Sequence, residues 1–330
     1  MSVMVTTTTF PQLLLKHAAE RPQAPAMREK EYGIWQTWSW LRAAEDVRQM
    51  SCGLAALGFQ PGQNLAIVGD NRPHLYQAFI AAQSLRGVPV PMYQDAIASE
   101  MTFLLQDAEI HFVLAENQEQ VDKLLELRTS VPGLLQHIIY DDPRGLRNYQ
   151  HDGLISIERL FELGREYELL HPKFYAESVA LGRATDVSVI LYTSGTTGRP
   201  KGVCQTHASF IDSARGGVEV DGLGPDDNII SYLPPAWVGD HLFSIAQWLV
   251  AGFTINCPES TGTVSIDLRE IGPSYYFAPP RVFEGLLTWC PSAWKMRPRL
   301  NAGCIASSWR WRSAVVPRFW MVIPCRCWTG

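Results

Sequence analysis

Most of the information about the fold lies in one stretch of the sequence, Ile190-Leu-Tyr-Thr-Ser-Gly-Thr-Thr-Gly-Arg-Pro-Lys-Gly-Val203. It begins as an apolar strand and continues into small hydroxylated residues, glycines and a lysine. Glycines permit positive φ and close approach of the backbone, so successive N–H groups can point into one anion-binding concavity. Hydroxyls add donors for phosphate oxygens or ligands for a phosphate-bound Mg²⁺, and Lys201 adds a compact positive charge. The predicted phosphate-binding residues are Thr193, Ser194, Gly195, Thr196, Thr197, Gly198 and Lys201, and Gly202 is predicted to share the role of the other glycines.

Two better-known phosphate motifs do not fit this stretch. A Walker A loop needs Gly-Lys-Ser/Thr five residues after its first glycine, but Pro200 stands five residues after Gly195 and Gly202 follows Lys201. No G-x-G-x-x-G turn opens a helix, so the signature of a dinucleotide-binding fold is also missing. A flexible surface loop rich in small residues is the remaining alternative, and we disfavour it.

The rest of the chain alternates between helical and strand patterns. Apolar residues recur at helical spacing over residues 40–57 and 74–85, and short apolar runs predict strands between the helices. The predicted strands cover residues 65–68, 111–114, 137–140, 188–192, 229–233, 253–256 and 274–278. This alternation predicts an α/β fold of βαβ units with mostly parallel sheets, in which ligands bind beyond the carboxyl ends of the strands. The loop after residues 188–192 is then well placed for chemistry.

Composition indicates a globular protein, because 46% of the 330 residues are hydrophobic and 18% are charged. The N-terminus resembles neither a signal peptide nor a transit peptide, and the longest apolar stretch, residues 243–257, is too short and too polar to span a bilayer. We interpret that stretch as a buried helix leading into a strand. The cysteines show no spacing typical of zinc sites or disulfide frameworks. These features favour a cytoplasmic protein with at most peripheral association with the inner face of the membrane.

Residues 289–330 differ from the rest of the chain. They contain seven basic residues and no Asp or Glu, whereas the chain as a whole has a net charge of -5. Six of the eleven Trp and four of the seven Cys also lie there. We divide the sequence into a domain over residues 1–288 and an unrelated tail over residues 289–330.

At Tyr192–Val203 the sequence resembles the adenylate-forming superfamily, which contains acyl-CoA synthetases, luciferases and the adenylation domains of peptide synthetases. Flanking segments resemble the bacterial long-chain fatty acyl-CoA synthetases, and the similarity runs from about residue 9 to about residue 288. These segments are Tyr32-Gly-Ile-Trp-Gln-Thr-Trp38, Gly69-Asp-Asn-Arg-Pro73, Val88-Pro-Val-Pro-Met-Tyr-Gln94, Gln118-Glu-Gln-Val-Asp122, Asp142-Pro-Arg-Gly-Leu-Arg147, Ser231-Tyr-Leu-Pro-Pro-Ala-Trp237 and Phe277-Ala-Pro-Pro-Arg-Val-Phe-Glu284. The resemblance implies the N-terminal domain of such an enzyme, built from two α/β lobes with mostly parallel sheets flanked by helices.

The resemblance also implies a two-step reaction. The carboxylate of a fatty acid attacks the α-phosphorus of ATP to give acyl-adenylate and pyrophosphate, and the thiolate of coenzyme A then displaces AMP to give the thioester. The substrates implied are therefore a fatty acid, ATP and coenzyme A, with Mg²⁺ as the metal; no nucleic acid and no protein partner is implied. By this analogy the loop holds the phosphates that leave as pyrophosphate, and Thr196 or Thr197 helps to hold Mg²⁺.

Three further residues or pairs have a structural and a functional interpretation. Trp237 helps to wall the acyl site by analogy, but a core-filling role is more common for a Trp in this context. His207 follows the loop in the position usual for the family, and we favour a local hydrogen bond at a helix start over catalysis. Arg281 and Glu284 are one helical turn apart, and a structural or solvated ion pair is the favoured interpretation.

Later family segments are missing from the sequence. We find no Tyr-Gly-x-Thr-Glu, Thr-Gly-Asp or Gly-Arg-x-x-Asp segment and no candidate for the C-terminal lysine that contacts the reacting carboxylate. We therefore interpret the chain as an incomplete ligase that lacks the C-terminal domain and a complete catalytic set, and we expect no thioester formation by it alone. A nucleotide- or acyl-binding remnant without catalysis, and a ligase for another carboxylic acid, are the alternatives.

We interpret the tail over residues 289–330 as an out-of-frame translation, because Arg, Trp, Cys, Pro and Ser rise together while acidic residues vanish. The alternative is a genuine basic extension that binds a membrane surface or nucleic acid, but four prolines interrupt any long helix there. Translation of the gene in its other two frames after codon 288 distinguishes the two: the out-of-frame hypothesis fails if neither frame continues into the missing segments.

Overall fold

The protein is described by a computed structural model that covers residues 7–193, 200–278, 280 and 282–284. The helices are α1 (Phe10–Glu20), α2 (Trp40–Ala56), α3 (Pro73–Ser84), α4 (Ala98–Asp107), α5 (Gln118–Arg128), α6 (Ile157–Leu170), α7 (Phe174–Leu181), α8 (His207–Asp221), α9 (Val238–Asp240), a π-helix (His241–Ala246), α10 (Gln247–Ala251) and α11 (Val264–Ile271). The strands are β1 (Pro25–Glu31), β2 (Ile34–Ser39), β3 (Asn64–Val68), β4 (Val88–Met92), β5 (Phe112–Ala115), β6 (His137–Tyr140), β7 (Leu154–Ser156), β8 (Val187–Thr193), β9 (Lys201–Thr206), β10 (Asn228–Ile230) and β11 (Thr254–Cys257).

The strands of the described chain form three sheets. A five-stranded sheet has the order β4-β3-β5-β6-β7 and is parallel throughout. A four-stranded sheet has the order β10-β11-β1-β2, in which only the β1–β2 pair is antiparallel. Strands β8 and β9 form an antiparallel hairpin. The predicted α/β class with mostly parallel sheets is therefore confirmed.

Helix α3 is the most buried helix of the molecule's described part. All of its residues except His74 are buried, so it has no solvent-facing side. Two of its polar side chains donate hydrogen bonds to backbone carbonyls. The Gln83 amide donates to the Ser188 carbonyl at 2.7 Å, and the Ser84 hydroxyl donates to the Ile80 carbonyl of the same helix at 2.8 Å. A helix that is buried on all sides lies within a core, and this one contacts strands of both larger sheets.

Most of the predicted elements are present at nearly the predicted bounds. The apolar stretch over residues 243–257 is the predicted buried helix followed by a strand, here the end of the π-helix, α10 and β11. Residues 141–153 connect β6 to β7. The predictions over residues 40–57, 74–85, 65–68, 111–114, 137–140, 188–192 and 253–256 correspond to α2, α3, β3, β5, β6, β8 and β11.

Two strand predictions need correction. Residues 274–278 form no strand, because a strand needs a hydrogen-bonded neighbour and no described strand pairs with them. The strand predicted over residues 229–233 ends at Ile230, where Ser231 turns its hydroxyl into a buried polar cluster.

The sequence patterns did not predict five of the described strands, β1, β2, β4, β7 and β9, and the reason can be identified for three of them. Strand β1 contains four consecutive charged residues, 28–31, which are untypical of a strand. It is joined to β2 by Tyr32 and Gly33, both with positive φ (49° and 75°), as in a type I′ hairpin turn. Strand β4 contains Pro89 and Pro91, which lack an N–H and argue against a strand. They are tolerated because β4 lies at the edge of its sheet.

The chain divides into two compact units, Met1–Gly272 and Pro273–Gly330. All three sheets belong to the first unit. In the second unit the described residues include Tyr276 and Phe283, whose ring centroids are 5.9 Å apart in an edge-on arrangement. Among the described residues no helix combines the length and apolarity needed to cross a membrane.

Helices α2 and α6 pack closely through glycines. A Cβ atom placed on Gly53 would lie 2.3 Å from the carbonyl oxygen of Leu160, and one on Gly164 would lie 1.9 Å from the carbonyl oxygen of Gln49. Both contacts are with backbone atoms, which cannot rotate away. The absence of a side chain at these positions therefore sets the distance between the two helices.

Replacing Gly53 by alanine should destabilise the protein even though alanine favours helix. We expect the free energy of unfolding to fall by about 2 kcal/mol, because the added methyl group forces the two helices apart. Gly216→Ala is the matched control, since Gly216 is a glycine within α8 with no atom within 4 Å of the added Cβ. This control should raise stability by about 0.5–1 kcal/mol. Urea denaturation measures both, and a stabilised Gly53→Ala variant would contradict the close packing.

A buried histidine, His241, sits among aromatic rings at the start of the π-helix. Its ring centroid lies 4.5 Å from that of Phe210, 5.6 Å from that of Phe79 and 5.9 Å from that of Phe10. Neither ring nitrogen has a hydrogen-bond partner in the described chain. Burial lowers the pKa of His241 to about 3. The ring is therefore neutral and serves as a core side chain.

This burial makes stability depend on pH with a definite sign. His241 stays neutral in the folded protein down to about pH 3 but takes up a proton near its ordinary pKa of 6.5 when unfolded, so stability falls as the pH drops below 6.5. His241→Phe should remove about 2 kcal/mol of the stability loss between pH 7.5 and pH 5. Denaturation at the two pH values measures this effect. His151→Phe, at an exposed position, is the control and should leave the loss unchanged; an equal loss in His241→Phe would contradict the assignment.

Candidate functional site

The predicted phosphate loop lies at the turn of the β8–β9 hairpin. Thr193, the last residue of β8, is paired with Lys201, the first residue of β9. Both side chains are exposed. The hairpin thus brings a hydroxyl and an ammonium group to the two ends of the connecting segment. Five predicted ligands, Ser194, Gly195, Thr196, Thr197 and Gly198, lie outside the described residues, and these include both metal candidates.

The β8–β9 pair is an exception to the mostly parallel arrangement of the sheets. Strand β8 returns directly into the antiparallel strand β9. The reason is that residues 201–206 continue as a strand, and helix α8 begins only at His207. The Thr206 hydroxyl caps this helix by accepting a hydrogen bond from the Ser209 N–H.

Gly202 has a different role from the one predicted. It is not among the glycines with positive φ. A Cβ at this position would instead lie 2.9 Å from Cγ2 of Ile190 and 3.2 Å from Cζ of Tyr192. Gly202 therefore makes room for the side chains of β8 on the opposite strand.

Tyr192 joins strand β8 to helix α4. Its hydroxyl donates to Oδ2 of Asp107, the last residue of α4, at 2.6 Å. Burial, together with this hydrogen bond to a carboxylate, raises the pKa of the tyrosine. At the other end of β8, Ser188 is held by the amide of Gln83 from α3. Both ends of the strand that carries the loop are thus anchored to neighbouring helices.

A second candidate segment, residues 231–237, follows β10 and contains Trp237. The backbone N–H of Trp237 donates to the Pro234 carbonyl at 2.9 Å, and this hydrogen bond closes a turn. The indole is half-buried and covers Gly239, where a Cβ would lie 2.3 Å from the ring. Only glycine at position 239 therefore allows this position of the indole.

Behind this turn lies a buried polar cluster that the sequence analysis missed. The Asn71 amide donates to the Leu233 carbonyl at 2.8 Å and to the Tyr76 hydroxyl at 2.6 Å. Tyr76 in turn donates to the Asp240 carboxylate at 2.9 Å, and the Ser244 hydroxyl donates to the same carboxylate at 2.7 Å. Burial raises the pKa of Asp240 to about 7 and raises that of Tyr76 well above its usual value. The one signal of this cluster in the sequence is the acidic residue Asp240, which stands just before the apolar stretch over residues 243–257.

His207 lies next to this region and is buried. Its Nδ1 atom accepts a hydrogen bond from the backbone N–H of Phe10 at 3.3 Å, which fixes the neutral tautomer with the proton on Nε2. Burial lowers its pKa to about 4. The hydrogen bond is long-range, joining α1 to the start of α8, whereas the sequence predicted a local one.

The predicted Arg281–Glu284 pair includes Arg281, which lies outside the described residues.

A charged cleft of about 370 Å³ lies at the carboxyl ends of β3, β5 and β6. In it Arg72 donates to Glu116 at 2.8 Å and lies 3.6 Å from Glu29, whose pKa burial raises to about 7. Burial alone would lower the pKa of His74, but Asp141 at 2.6 Å raises it. Arg72, Glu29, Glu116, His74 and Asp141 each lie next to a group of opposite charge. These charged residues therefore mainly join β1 to the five-stranded sheet.

The described residues contain no group of three or more His, Cys, Asp or Glu side chains that could hold a metal ion. The three described cysteines, Cys52, Cys204 and Cys257, are free.

Solved structures of CoA ligases share this fold. A long-chain-fatty-acid CoA ligase from Rhodopseudomonas palustris, described as putative, superposes with a TM-score of 0.66 at 17% identity and covers 84% of this chain and 65% of that one. The acetoacetyl-CoA synthetase of Streptomyces lividans has a TM-score of 0.65 at 22% identity, covering 82% and 42%. These similarities establish the fold of an N-terminal portion of such enzymes.

Sequence comparison identifies the family. A long-chain-fatty-acid–CoA ligase of Mycobacterium bovis is 26% identical over 277 residues, covering 82% of this chain and 44% of the relative. One from Rattus norvegicus is 27% identical over 289 residues, covering 84% and 42%. The chain thus spans less than half the length of these relatives. The model of the AMP-binding enzyme family matches residues 14–320, and the chain therefore belongs to the AMP-binding enzyme family.

Proposed function

We propose that this chain is the nucleotide-binding N-terminal portion of an ATP-dependent long-chain fatty acid–CoA ligase. The observation that carries the proposal is the pairing of Thr193 with Lys201 across the β8–β9 hairpin. This pairing holds a hydroxyl and a positive charge beside a connection rich in glycine and hydroxyl residues. The long-chain-fatty-acid–CoA ligases among the relatives support the substrate class.

The proposed chemistry begins with attack of a fatty acid carboxylate on the α-phosphorus of ATP. Thr193, Lys201 and the loop residues Ser194, Gly195, Thr196, Thr197 and Gly198 bind the phosphates that leave as pyrophosphate. Their contribution is to position the nucleotide and to stabilise negative charge on the phosphate oxygens. Thr196 or Thr197 is the proposed ligand for Mg²⁺, which supplies further charge neutralisation when bound. Coenzyme A is the proposed acceptor in the second step.

Trp237 is proposed to form part of the wall of the acyl site. Its half-buried indole lies against Gly239, and Pro234 and Pro235 precede it in the chain. An aromatic ring in such a place offers apolar surface to a hydrocarbon chain. Residues 1–288 are proposed as the functional part of the chain, with a cytoplasmic location and at most peripheral contact with a membrane.

Removing the charge of Lys201 should weaken binding of ATP. We expect Lys201→Ala to raise the dissociation constant for MgATP about tenfold, because a hydrogen bond to a charged group contributes about 1.5–3 kcal/mol. Lys173→Ala is the matched control, since Lys173 is also exposed but lies before α7, outside the hairpin. Isothermal titration calorimetry on the full chain measures both affinities. Unchanged affinity in Lys201→Ala would contradict the assignment of the loop.

An exchange assay separates the ligase from a binding remnant. If the chain catalyses formation of the acyl-adenylate, it should incorporate labelled pyrophosphate into ATP when palmitate and MgATP are supplied. ATP binding without exchange would support the non-catalytic alternative. A panel of aryl and medium-chain acids in the same assay tests the alternative substrates.

A further inference from the structure

One tyrosine side chain lies against both strands of the β8–β9 hairpin, next to the pair that is proposed to bind phosphate. In the register of the two strands, Tyr192 is opposite Gly202, one step inward from the pair of Thr193 and Lys201. A Cβ atom on Gly202 would lie 3.2 Å from Cζ and 3.4 Å from the hydroxyl oxygen of Tyr192. The phenol ring is therefore part of β8 and lies over the backbone of β9.

The outer end of this ring is held by Asp107, the last residue of α4. The Tyr192 hydroxyl donates to Oδ2 of Asp107 at 2.6 Å, a distance typical of a hydrogen bond to a carboxylate. Burial and this hydrogen bond raise the pKa of Tyr192, so the hydroxyl keeps its proton and remains the donor. Hydrogen bonds with one ionised partner are roughly twice as strong as neutral ones. Asp107 thus fixes the position of the ring over β9.

Helix α4 is a firm support for this contact, because it packs on the five-stranded sheet. Three of its residues are buried in the hydrophobic core of that sheet: Met101, Leu104 and Leu105. Ile190 and Tyr192 of β8 pack against the same core. Apolar contacts hold the hairpin on the sheet but are not directional. The hydrogen bond between Tyr192 and Asp107 is directional, and it lies at the end of the hairpin that carries Thr193 and Lys201.

We propose that Asp107 is a positioning residue for the nucleotide phosphates: by holding Tyr192 it keeps Thr193 and Lys201 in the arrangement that binds the polyphosphate of ATP. This inference rests on the proposed function, because it takes Thr193 and Lys201 as phosphate ligands. It assigns Asp107 no contact with the nucleotide. The charge of a carboxylate repels phosphate groups. A favourable effect of Asp107 on ATP binding therefore has to act through the hairpin.

The first experiment measures the affinity of the full chain for MgATP by isothermal titration calorimetry. Tyr192→Phe and Asp107→Leu should each raise the dissociation constant about fivefold, because each removes the same hydrogen bond. Loss of negative charge alone would lower the constant, so the sign of the Asp107→Leu effect separates positioning from electrostatics. Tyr149→Phe is the matched control and should bind as the wild type. The Tyr149 hydroxyl donates to Asp122 of α5 at 2.7 Å, outside the hairpin.

Rescue and a double variant test whether the hydrogen bond itself is responsible. Asp107→Asn keeps a carbonyl oxygen that accepts from Tyr192, so its dissociation constant should stay within about twofold of the wild type. Tyr192→Phe combined with Asp107→Leu should bind no more weakly than either single variant, since both remove one shared interaction. Asp107 is exposed, so its replacement leaves the core intact. Wild-type affinity in Tyr192→Phe or Asp107→Leu, additive losses, or failure of Asp107→Asn to restore binding would overturn the inference.

Hydrogen exchange separates failure of the inference from failure of the proposed function. Mass spectrometry follows the peptides that cover β8 and β9 in the absence of nucleotide. Their amides should exchange faster in Tyr192→Phe and Asp107→Leu than in the wild type, because the end of the hairpin opens more often, but not in Tyr149→Phe. If the wild type binds no MgATP but this difference appears, the phosphate assignment is wrong and the hold of Asp107 on the hairpin stands. If the difference is missing, the positioning role is wrong.

Discussion

The burial of helix α3 on all sides is the constraint on which the rest of the described structure depends. A helix without a solvent face removes its polar side chains from water, where an unpaired buried polar group costs about 1–3 kcal/mol, so hydrogen bonds to neighbouring elements are needed for most of them. Tyr76 therefore bonds to Asp240, and Gln83 to the carbonyl of Ser188. Through these two contacts the same helix fixes the segment after β10 and the strand that leads into the phosphate loop.

This arrangement links the two halves of the candidate site. The β8–β9 hairpin carries Thr193 and Lys201, and the turn after β10 carries Trp237. Neither segment is held by its own residues alone. The hairpin is anchored at Ser188 by α3 and at Tyr192 by the end of α4, while the turn is anchored through Asn71 and Tyr76. Both segments are therefore positioned by residues that lie outside them, in and around α3 and at the end of α4.

The sequence allowed prediction of those parts of the fold that depend on local patterns. Alternating strand and helix signals predicted the parallel sheets, and β6 was placed at its observed bounds. Prediction failed where tertiary context overrides local preference. Pro89 and Pro91 argue against a strand but are accepted at a sheet edge, and the apolar residues 274–278 lack a neighbouring strand in the described chain. Gly202 was predicted to permit positive φ in the loop, but its lack of a side chain provides space for Tyr192.

The sequence by itself determined the family and the position of the predicted phosphate loop, because both depend on residue types at fixed spacing within a short segment. Only the tertiary structure decided how that loop is presented, as the turn of an antiparallel hairpin, and revealed the Asp240 cluster. The physical reason is the separation of the bonding partners along the chain. Asn71 and Ser231, which meet in this cluster, are 160 residues apart. No local pattern records such a pairing, since it exists only after two sheets have packed around α3.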